Sequence, residues 1–450
     1  MTHDTVVVGA GMGGLTAAHA LAAAGLRTLV LEAGDRVGGL VQHARVGGID
    51  VDAGAESFAL RRPEVADLVT RLGLEYATPA TASTIWLPDD GGRALTSPAR
   101  ALLGIPADPL ADDVVAIVGP GAAARAAADR ELDPAAGADA TTLAELVTVR
   151  MGADLLERLV RPVARGIHGT DPENLAVDAV APGLRAALVS HGSLAAAVAA
   201  TVPDGPAVGC VVGGMWRLPA ALAASAEVRT GTRVTAVARE TDGTWLVHAD
   251  DDGAAPVRTR RLVLAVPGPE TVALLAGVLP GDTPEPRAGN PIAQVTLVVD
   301  APELDAAPLG SGVLVGPDAG VRTKALTHAT AKWAWLRASV PAGVHVLRLS
   351  YGRAGDDPAA LDTVDAAVAL ADASTLLGLP LSRSQVRDSL RVHRPLGLPP
   401  SAAADPALRP LLERVRAADG LGVCGAWVAG TGVAAVVAQA QQEAARLLAT

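Results

Sequence analysis

Aromatic residues are scarce in this chain: one Phe, two Tyr and six Trp make up 2% of 450 residues. Binding modes that stack bases on rings are disfavoured on that ground. Cysteine is scarcer still, with Cys210 and Cys424 the two examples. That number excludes a disulfide framework and a cysteine-rich metal site, and it suits a reducing cytosol. Positive charge is in deficit, 37 Lys and Arg against 48 Asp and Glu, for a net −11. Such a balance repels nucleic acid and anionic membrane, so an anionic substrate needs its own local cluster of arginines. No apolar leader opens the sequence, which runs from Met-Thr-His-Asp straight into Thr5-Val6-Val7-Val8. A cytoplasmic protein without a signal peptide is expected. Residues 420–442 carry no charge and are long enough to cross a bilayer, but they hold five glycines and three glutamines. Gly430-Thr431-Gly432 divides them, so a strand, a turn and a helix are expected there in place of a transmembrane segment.

What the chain has in quantity is small apolar side chains: 50% of it is hydrophobic, mostly Ala, Val and Leu. At ~150 residues per domain, the length allows about three domains. The opening reads strand, helix, strand: Thr5–Val8 is a β-branched run, 17–24 a helix closed by Gly25, and 27–31 the next strand. Residues 99–200 are rich in Ala, Leu and Arg with few β-branched runs, which predicts a helical insert. Strand patterning returns at 228–238, 245–249 and 261–267, and then at 294–299, 313–315 and 344–350 as a second sheet. The last thirty residues return to strand, glycine turn and helix. The expected fold class is α/β, with a discontinuous Rossmann-like dinucleotide-binding domain from 1–75, 206–272 and 416–450. A mixed-sheet substrate domain would come from 76–95 and 273–415, and a helical domain from 96–205.

Gly9-Ala10-Gly11-Met12-Gly13-Gly14 satisfies G-x-G-x-x-G, a weak signal by itself. Here it follows a strand and opens a helix, and Glu32 closes the next strand 18 residues after Gly14. Gly9 permits the tight turn, Gly11 lets backbone amides approach a pyrophosphate at the helix N-terminus, and Gly14 lets the helix pack closely on the sheet. Glu32 would accept from ribose hydroxyls and repel a 2′-phosphate. These residues leave NAD and FAD both open. Arg36-Val37-Gly38-Gly39 and Asp52-Ala53-Gly54-Ala55-Glu56-Ser57 add two further glycine approaches, which suit a long, extended cofactor. Residues 114–121 imitate another strand and glycine turn, but they lack a third glycine in register, so no second nucleotide site is expected there. The nine histidines are scattered singly, with no pair at the short spacings of metal ligands, and no metal is expected.

These segments resemble the flavin amine oxidase superfamily. Ala53-Gly54-Ala55-Glu56-Ser57-Phe58-Ala59-Leu60-Arg61-Arg62-Pro63-Glu64 is similar to the segment after the flavin extension in porphyrinogen oxidases, as is Gly104-Ile105-Pro106 after Leu95-Thr96-Ser97-Pro98. Residues 161–172, 213–219, 311–315 with Lys324-Ala325 and Lys332-Trp333, and 425–434 resemble further family segments in the right order. The similarity points to the bacterial coproporphyrinogen III oxidase branch. One stretch departs from it: His393-Arg394-Pro395-Leu396-Gly397-Leu398-Pro399-Pro400-Ser401 stands where the family often carries an aromatic before Pro and a Pro-Gln-Tyr tract.

The resemblance implies FAD, contacted by Gly9, Ala10, Gly11, Met12, Gly13, Gly14, Glu32, Ala33, Arg36, Gly39, Gly54, Ala55, Glu56, Ser57, Val234, Gly425, Gly432, Val433 and Ala434. It implies hydride transfer from the methylene bridges of coproporphyrinogen III to flavin N5, with dioxygen returning the flavin to its oxidised state and yielding hydrogen peroxide, in haem biosynthesis. The flavin would carry the chemistry, and no catalytic acid–base residue is required. Arg61, Arg62, Arg93 and Arg100 are the expected partners of the substrate's propionates, since a guanidinium matches a carboxylate bidentately, and His168 is expected to line the substrate pocket. Transient contact with haem-pathway enzymes fits the same role. Three alternatives stay open: a protoporphyrinogen IX oxidase, a flavin amine oxidase with Lys324 or Lys332 beside the flavin, and a non-catalytic FAD-binding relative.

Overall fold

The computed structural model describes residues 3–449, apart from 89–91, 203, 251–254, 283, 287–288, 317–318, 354 and 400. Thr5–Val8 is fully buried and lies at the centre of a five-stranded sheet. It pairs in parallel with Thr28–Leu31 on one side and Arg261–Leu264 on the other, and Glu227–Arg229 and Leu421–Val423 extend the sheet outward, also in parallel. A parallel sheet needs cover on both faces. Strand alternation supplies it: Val7, Val30 and Val263 share a core with Leu15 and Leu21 of the first helix, Met12–Ala23, and with Val437 and Leu447 of the last, Val433–Leu448. Val6, Val8, Leu29, Leu31, Leu262 and Leu264 pack instead with Trp245 and Val247. Those two side chains belong to an antiparallel sheet of Val234–Arg239, Trp245–Ala249 and Val257–Thr259. The nucleotide sheet is thus drawn from both ends of the chain.

A second sheet has seven strands in the order Val386–Leu398, Asn290–Asp300, Val344–Tyr351, Ala325–His328, Gly312–Val315, Thr84–Leu87 and Arg93–Thr96. It is mixed, because Thr84–Leu87 runs parallel to Gly312–Val315 while the other pairs are antiparallel. One face buries Val295, Leu297, Leu347 and Leu349 against Ala373 and Leu376 of helix Ala366–Leu377. On the opposite face Val298 and Val346 join the core beneath the nucleotide sheet's helices. The two sheets therefore share apolar contacts, and polar side chains of that face, Thr296 and Arg348, are buried between them.

The expected insert is helical from Asp112 onward, but it begins as a hairpin of Ala101–Leu102 with Ile105–Pro106. Tyr76–Ala77, expected to open the substrate domain, pairs instead with Val208–Val211 in a small sheet with Phe58–Ala59. Residues 114–118 lie in the helix Asp112–Val118, so the second glycine turn is not fed by a strand. At the centre of the insert, fully buried Arg150 pairs with Asp129 and donates to the carbonyls of Asp133 (2.8 Å) and Gly192 (2.9 Å). A π-helical turn, Leu156–Val160, leads into the helix Arg161–His168. That helix docks on the seven-stranded sheet so closely that a Cβ on Gly166 would stand 2.6 Å from the Leu314 side chain. Among the described residues no single helix is long and apolar enough to cross a membrane; Leu184–His191 and Leu194–Thr201 pass only as a pair, bent by 117°.

Candidate active site

The glycine loop has the close contacts that its spacing predicts. Gly9 sits at φ +102°, and a Cβ on Gly14 would lie 2.0 Å from the Gly9 carbonyl oxygen, so the helix can approach the strand only without side chains there. Gly13 faces Gly425 across the helix, and a Cβ added to it would stand 2.9 Å from the Gly425 Cα. The second glycine pair docks on the first loop: Gly38 N donates to Ala10 O at 2.8 Å, and Gly39 sits at φ +59° against Gly11. Glu32 accepts from Ala10 N at 2.7 Å and from Gly34 N at 2.8 Å, so the carboxylate expected to meet ribose also braces the loop. Ala33 and Arg36 lie exposed beside it.

Two helix ends test whether a flavin dinucleotide suits these residues. Neither Met12–Ala23 nor Val433–Leu448 has a side-chain cap, and at Gly11 and Gly432, which precede them, the Cβ position is open space. The first amides of a helix lack internal partners and carry partial positive charge. They fit a pyrophosphate at the first helix and an electron-rich ring edge at the last, whose opening residues are Val433 and Ala434. Gln439 fixes the approach to that second end, accepting from Gly425 N at 3.3 Å and donating to Val423 O at 2.9 Å. Val234 begins its strand at a bulge, half-buried. The residues fit the group.

The loop 52–57 is where the two sheets are tied. Asp52 accepts from Met215 N (3.0 Å) and Trp216 N (3.1 Å), and burial pushes its carboxyl up to about 6 despite these bonds. Burial also raises Glu56, but Lys332 and Arg348 outweigh it and hold the carboxyl at about 2. Lys332 Nζ donates to Glu56 at 2.7 Å and Arg348 Nη1 at 3.2 Å, while Arg348 also reaches the Gly54 carbonyl. The resemblance implies Glu56 at the cofactor, but its carboxylate is committed to joining the loop to the seven-stranded sheet. Ala55 and Ser57 flank it, half-buried. Arg394 sits in the stretch that departs from the family, and it donates to Gln42 Oε1 (3.1 Å) and Ala53 O (3.0 Å), gripping the same loop from the sheet's edge strand. The side chains of Leu396 and Leu398, and Pro400, lie outside the described residues.

Of the five expected substrate-site residues, the structure brings His168 and Arg61 together. His168, at the end of its helix, is pushed down to about 4 by burial and by the neighbouring charges of Arg61 and Lys324. Arg61 follows the loop, next to Arg62, and burial pulls its guanidinium below the usual value. Arg93 is exposed at the start of the outermost strand. Arg100 is committed to the helical region: it donates to Val202 O at 3.0 Å and to the Ala199 carbonyl, and pairs with Asp204, capping the helix Leu194–Thr201. Its guanidinium is consumed by carbonyls that the helix leaves open. Arg348, Arg394 and the Asp52 carboxylate are site groups that sequence reasoning missed, and Lys324 enters it only as a flavin neighbour in the amine oxidase alternative. Arg348 had a signal, as a lone cation in the apolar run of Val344–Tyr351; the burial of Asp52 and Lys324 had none. The fold also brings two histidines together that the sequence keeps apart, His328 Nε2 and His345 Nδ1 at 2.9 Å.

A strand, glycine loop and helix braced by a second glycine pair, with an uncapped closing helix, define a dinucleotide-binding protein. Residues 12–448 match the family described as flavin containing amine oxidoreductase, and the chain belongs to it. A protein of Mycobacterium leprae named coproporphyrinogen III oxidase is 32% identical over 375 residues, 81% of each chain. One of the same name from Mycobacterium bovis is 31% identical and spans 96% of this chain and 95% of its own. A solved structure named for protoporphyrinogen oxidase, from Exiguobacterium sp. 255-15, superposes with a TM-score of 0.80 over the whole of both chains at 25% identity. The protein is therefore an oxidoreductase of the flavin amine oxidase family.

Proposed function

We propose that the protein is a FAD-dependent oxidase that converts coproporphyrinogen III to coproporphyrin III with dioxygen as acceptor. The observation that carries this reading is the similarity to proteins of that name over 81% or more of both chains. The site supports it in two ways: the helix ends fit a flavin dinucleotide, and Arg61 and Lys324 concentrate positive charge in a chain of net −11. Six hydrogens leave the macrocycle as three hydride–proton pairs, and three dioxygen molecules take them up as three of hydrogen peroxide. Bound flavin supplies the acceptor for each hydride. The chain's own residues bind and orient. Arg61 and Lys324 attract carboxylates, His168 is neutral near physiological pH and offers one donor and one acceptor, and the Glu56–Lys332–Arg348 bridge keeps the loop 52–57 in register with the sheet as substrate enters. The FAD domain would comprise 1–75, 206–272 and 416–450, around this loop.

Anaerobic mixing of the FAD-loaded protein with coproporphyrinogen III tests the reading through flavin absorbance. Bleaching, porphyrin fluorescence, and return of the yellow colour with dioxygen are expected. A flavin that stays oxidised at saturating porphyrinogen overturns it, and bleaching by a diamine alone reassigns the protein as an amine oxidase.

A further inference from the structure

Lysine is almost absent from this chain: Lys324 and Lys332 are the only two among its 37 basic residues. The surface is served by arginine, and both lysines are inside, Lys324 at 4% exposure and the Lys332 side chain at 14%. Lys332 is matched by Glu56 at 2.7 Å. Lys324 is not matched. Among the described residues its ammonium has no hydrogen bond or ion pair, although its backbone is fixed, the amide donating to Ser350 O at 2.8 Å and the carbonyl accepting from Val315 N at 3.0 Å.

The groups around it leave an excess of positive charge. On the turn after Val344–Tyr351, Arg353 spends its guanidinium on the carbonyls of Arg322 (3.1 Å) and Thr323 (3.0 Å), and Asp356 accepts from Arg353 N at 2.8 Å. Asp372 accepts from Thr323 N at 2.9 Å, below the strand. From the helix Arg161–His168 comes His168, with Arg61 beside it, neither with a carboxylate among the described residues. Asp356, the carboxylate that acts on the Lys324 ammonium, is shared with Arg353, and a desolvated ammonium without a counter-charge of its own is costly in the resting protein and is relieved when an anion arrives.

We propose that Lys324 binds one carboxylate of the substrate, with Arg61 and His168 completing an anion subsite between the helical region and the seven-stranded sheet. The inference rests on the porphyrinogen reading above and deepens it, by naming the residue that recognises the acid groups.

Oxidised, FAD-loaded protein is titrated with coproporphyrin III and with its tetramethyl ester, in wild type and in Lys324→Met and Lys324→Arg. A charge-assisted contact of this kind is worth about 10-fold or more in affinity. Lys324→Met is expected to weaken coproporphyrin III binding by about that factor while leaving the ester unchanged, and Lys324→Arg to recover part of the loss. The Met variant should unfold at the same temperature as wild type or higher, because it removes an unmatched buried charge. A merely structural lysine would instead lower the melting temperature and weaken both ligands alike. In parallel, an amine-reactive sulfonate should label Lys324, with coproporphyrin III but not the ester protecting it. Equal affinity of Lys324→Met and wild type for coproporphyrin III, or equal weakening of acid and ester, overturns the subsite alone. Wild type that binds no coproporphyrin III and oxidises no coproporphyrinogen overturns the proposed function and the subsite with it.

Discussion

Lys324 precedes the strand Ala325–His328 and Lys332 ends the short helix Ala329–Lys332 that follows it, yet their surroundings are opposite. Around Lys332 the charges close on themselves: Glu56 takes Lys332 and Arg348, and Thr327 Oγ1 stands 3.4 Å from the same carboxylate. Around Lys324 the cations outnumber the anions that face them. The first cluster ties one sheet to the other, and its cations already meet a carboxylate without a ligand. The second is incomplete without one. The difference teaches that burial of a charge does not by itself mark function; what matters is whether the fold has already provided the counter-charge.

Breaking the closed cluster should have the largest effect. Glu56→Gln leaves Lys332 and Arg348 facing each other without a carboxylate, and removing one partner of a buried ion pair costs about 3–5 kcal/mol. Denaturant unfolding should show that loss, accompanied by lower FAD retention because the loop 52–57 loses its tie to the sheet. A loss under about 1 kcal/mol would mean that water screens the cluster and that the two regions differ less than their geometry implies.

The two clusters should also separate along the pH axis. Glu56 is held below its ordinary value, at about 2, so its contribution is complete above the unfolded-state value and is lost as pH falls toward 2. Lys324 is pushed down from 10.5 to about 8, by burial first and by Arg353 next, with Asp356 opposing. Between those values the unfolded chain binds more protons than the folded one, so stability rises with pH from about 8 toward 10.5 as the buried ammonium becomes an amine. Wild type should therefore gain about 1–3 kcal/mol over that alkaline span relative to Lys324→Met, while the two proteins run parallel on the acid side. Parallel curves at both ends would show that Lys324 is solvated and would remove the contrast.

The contrast is legible in the sequence only on one side. The five-stranded sheet follows from local signals: a β-branched run, glycines at the spacing that a pyrophosphate turn needs, and an acidic strand end. Each of these acts within about thirty residues, and the structure places them as expected, including the return of the chain's last residues to the first sheet. The charge clusters depend on contacts between positions far apart, Glu56 with Lys332 and His168 with Lys324, and no periodicity encodes such pairs. The entry into the helical region escapes sequence patterning for a related reason. Ala101–Leu102 and Ile105–Pro106 are too short to show alternation, and Leu103 at φ +51° makes a turn that composition does not announce.

The smallest expected effect belongs to an arginine that sequence reasoning placed with the substrate. Arg100 closes the helix Leu194–Thr201 by donating to its last carbonyls, a capping role at a partly exposed site. Arg100→Ala should lower stability by about 0.5–1 kcal/mol, the usual scale for a cation at a helix C-terminus, and leave the affinity for coproporphyrin III within about twofold, under 0.5 kcal/mol. The split matters more than its size. A guanidinium that acts through the helix alone lowers stability and not binding, whereas loss at Lys324 is expected to weaken binding without lowering stability. If Arg100→Ala instead weakened coproporphyrin III as strongly as Lys324→Met, the anion subsite would have to extend through the helical region to its far end, and the excess charge at Lys324 would be one part of a longer electrostatic channel.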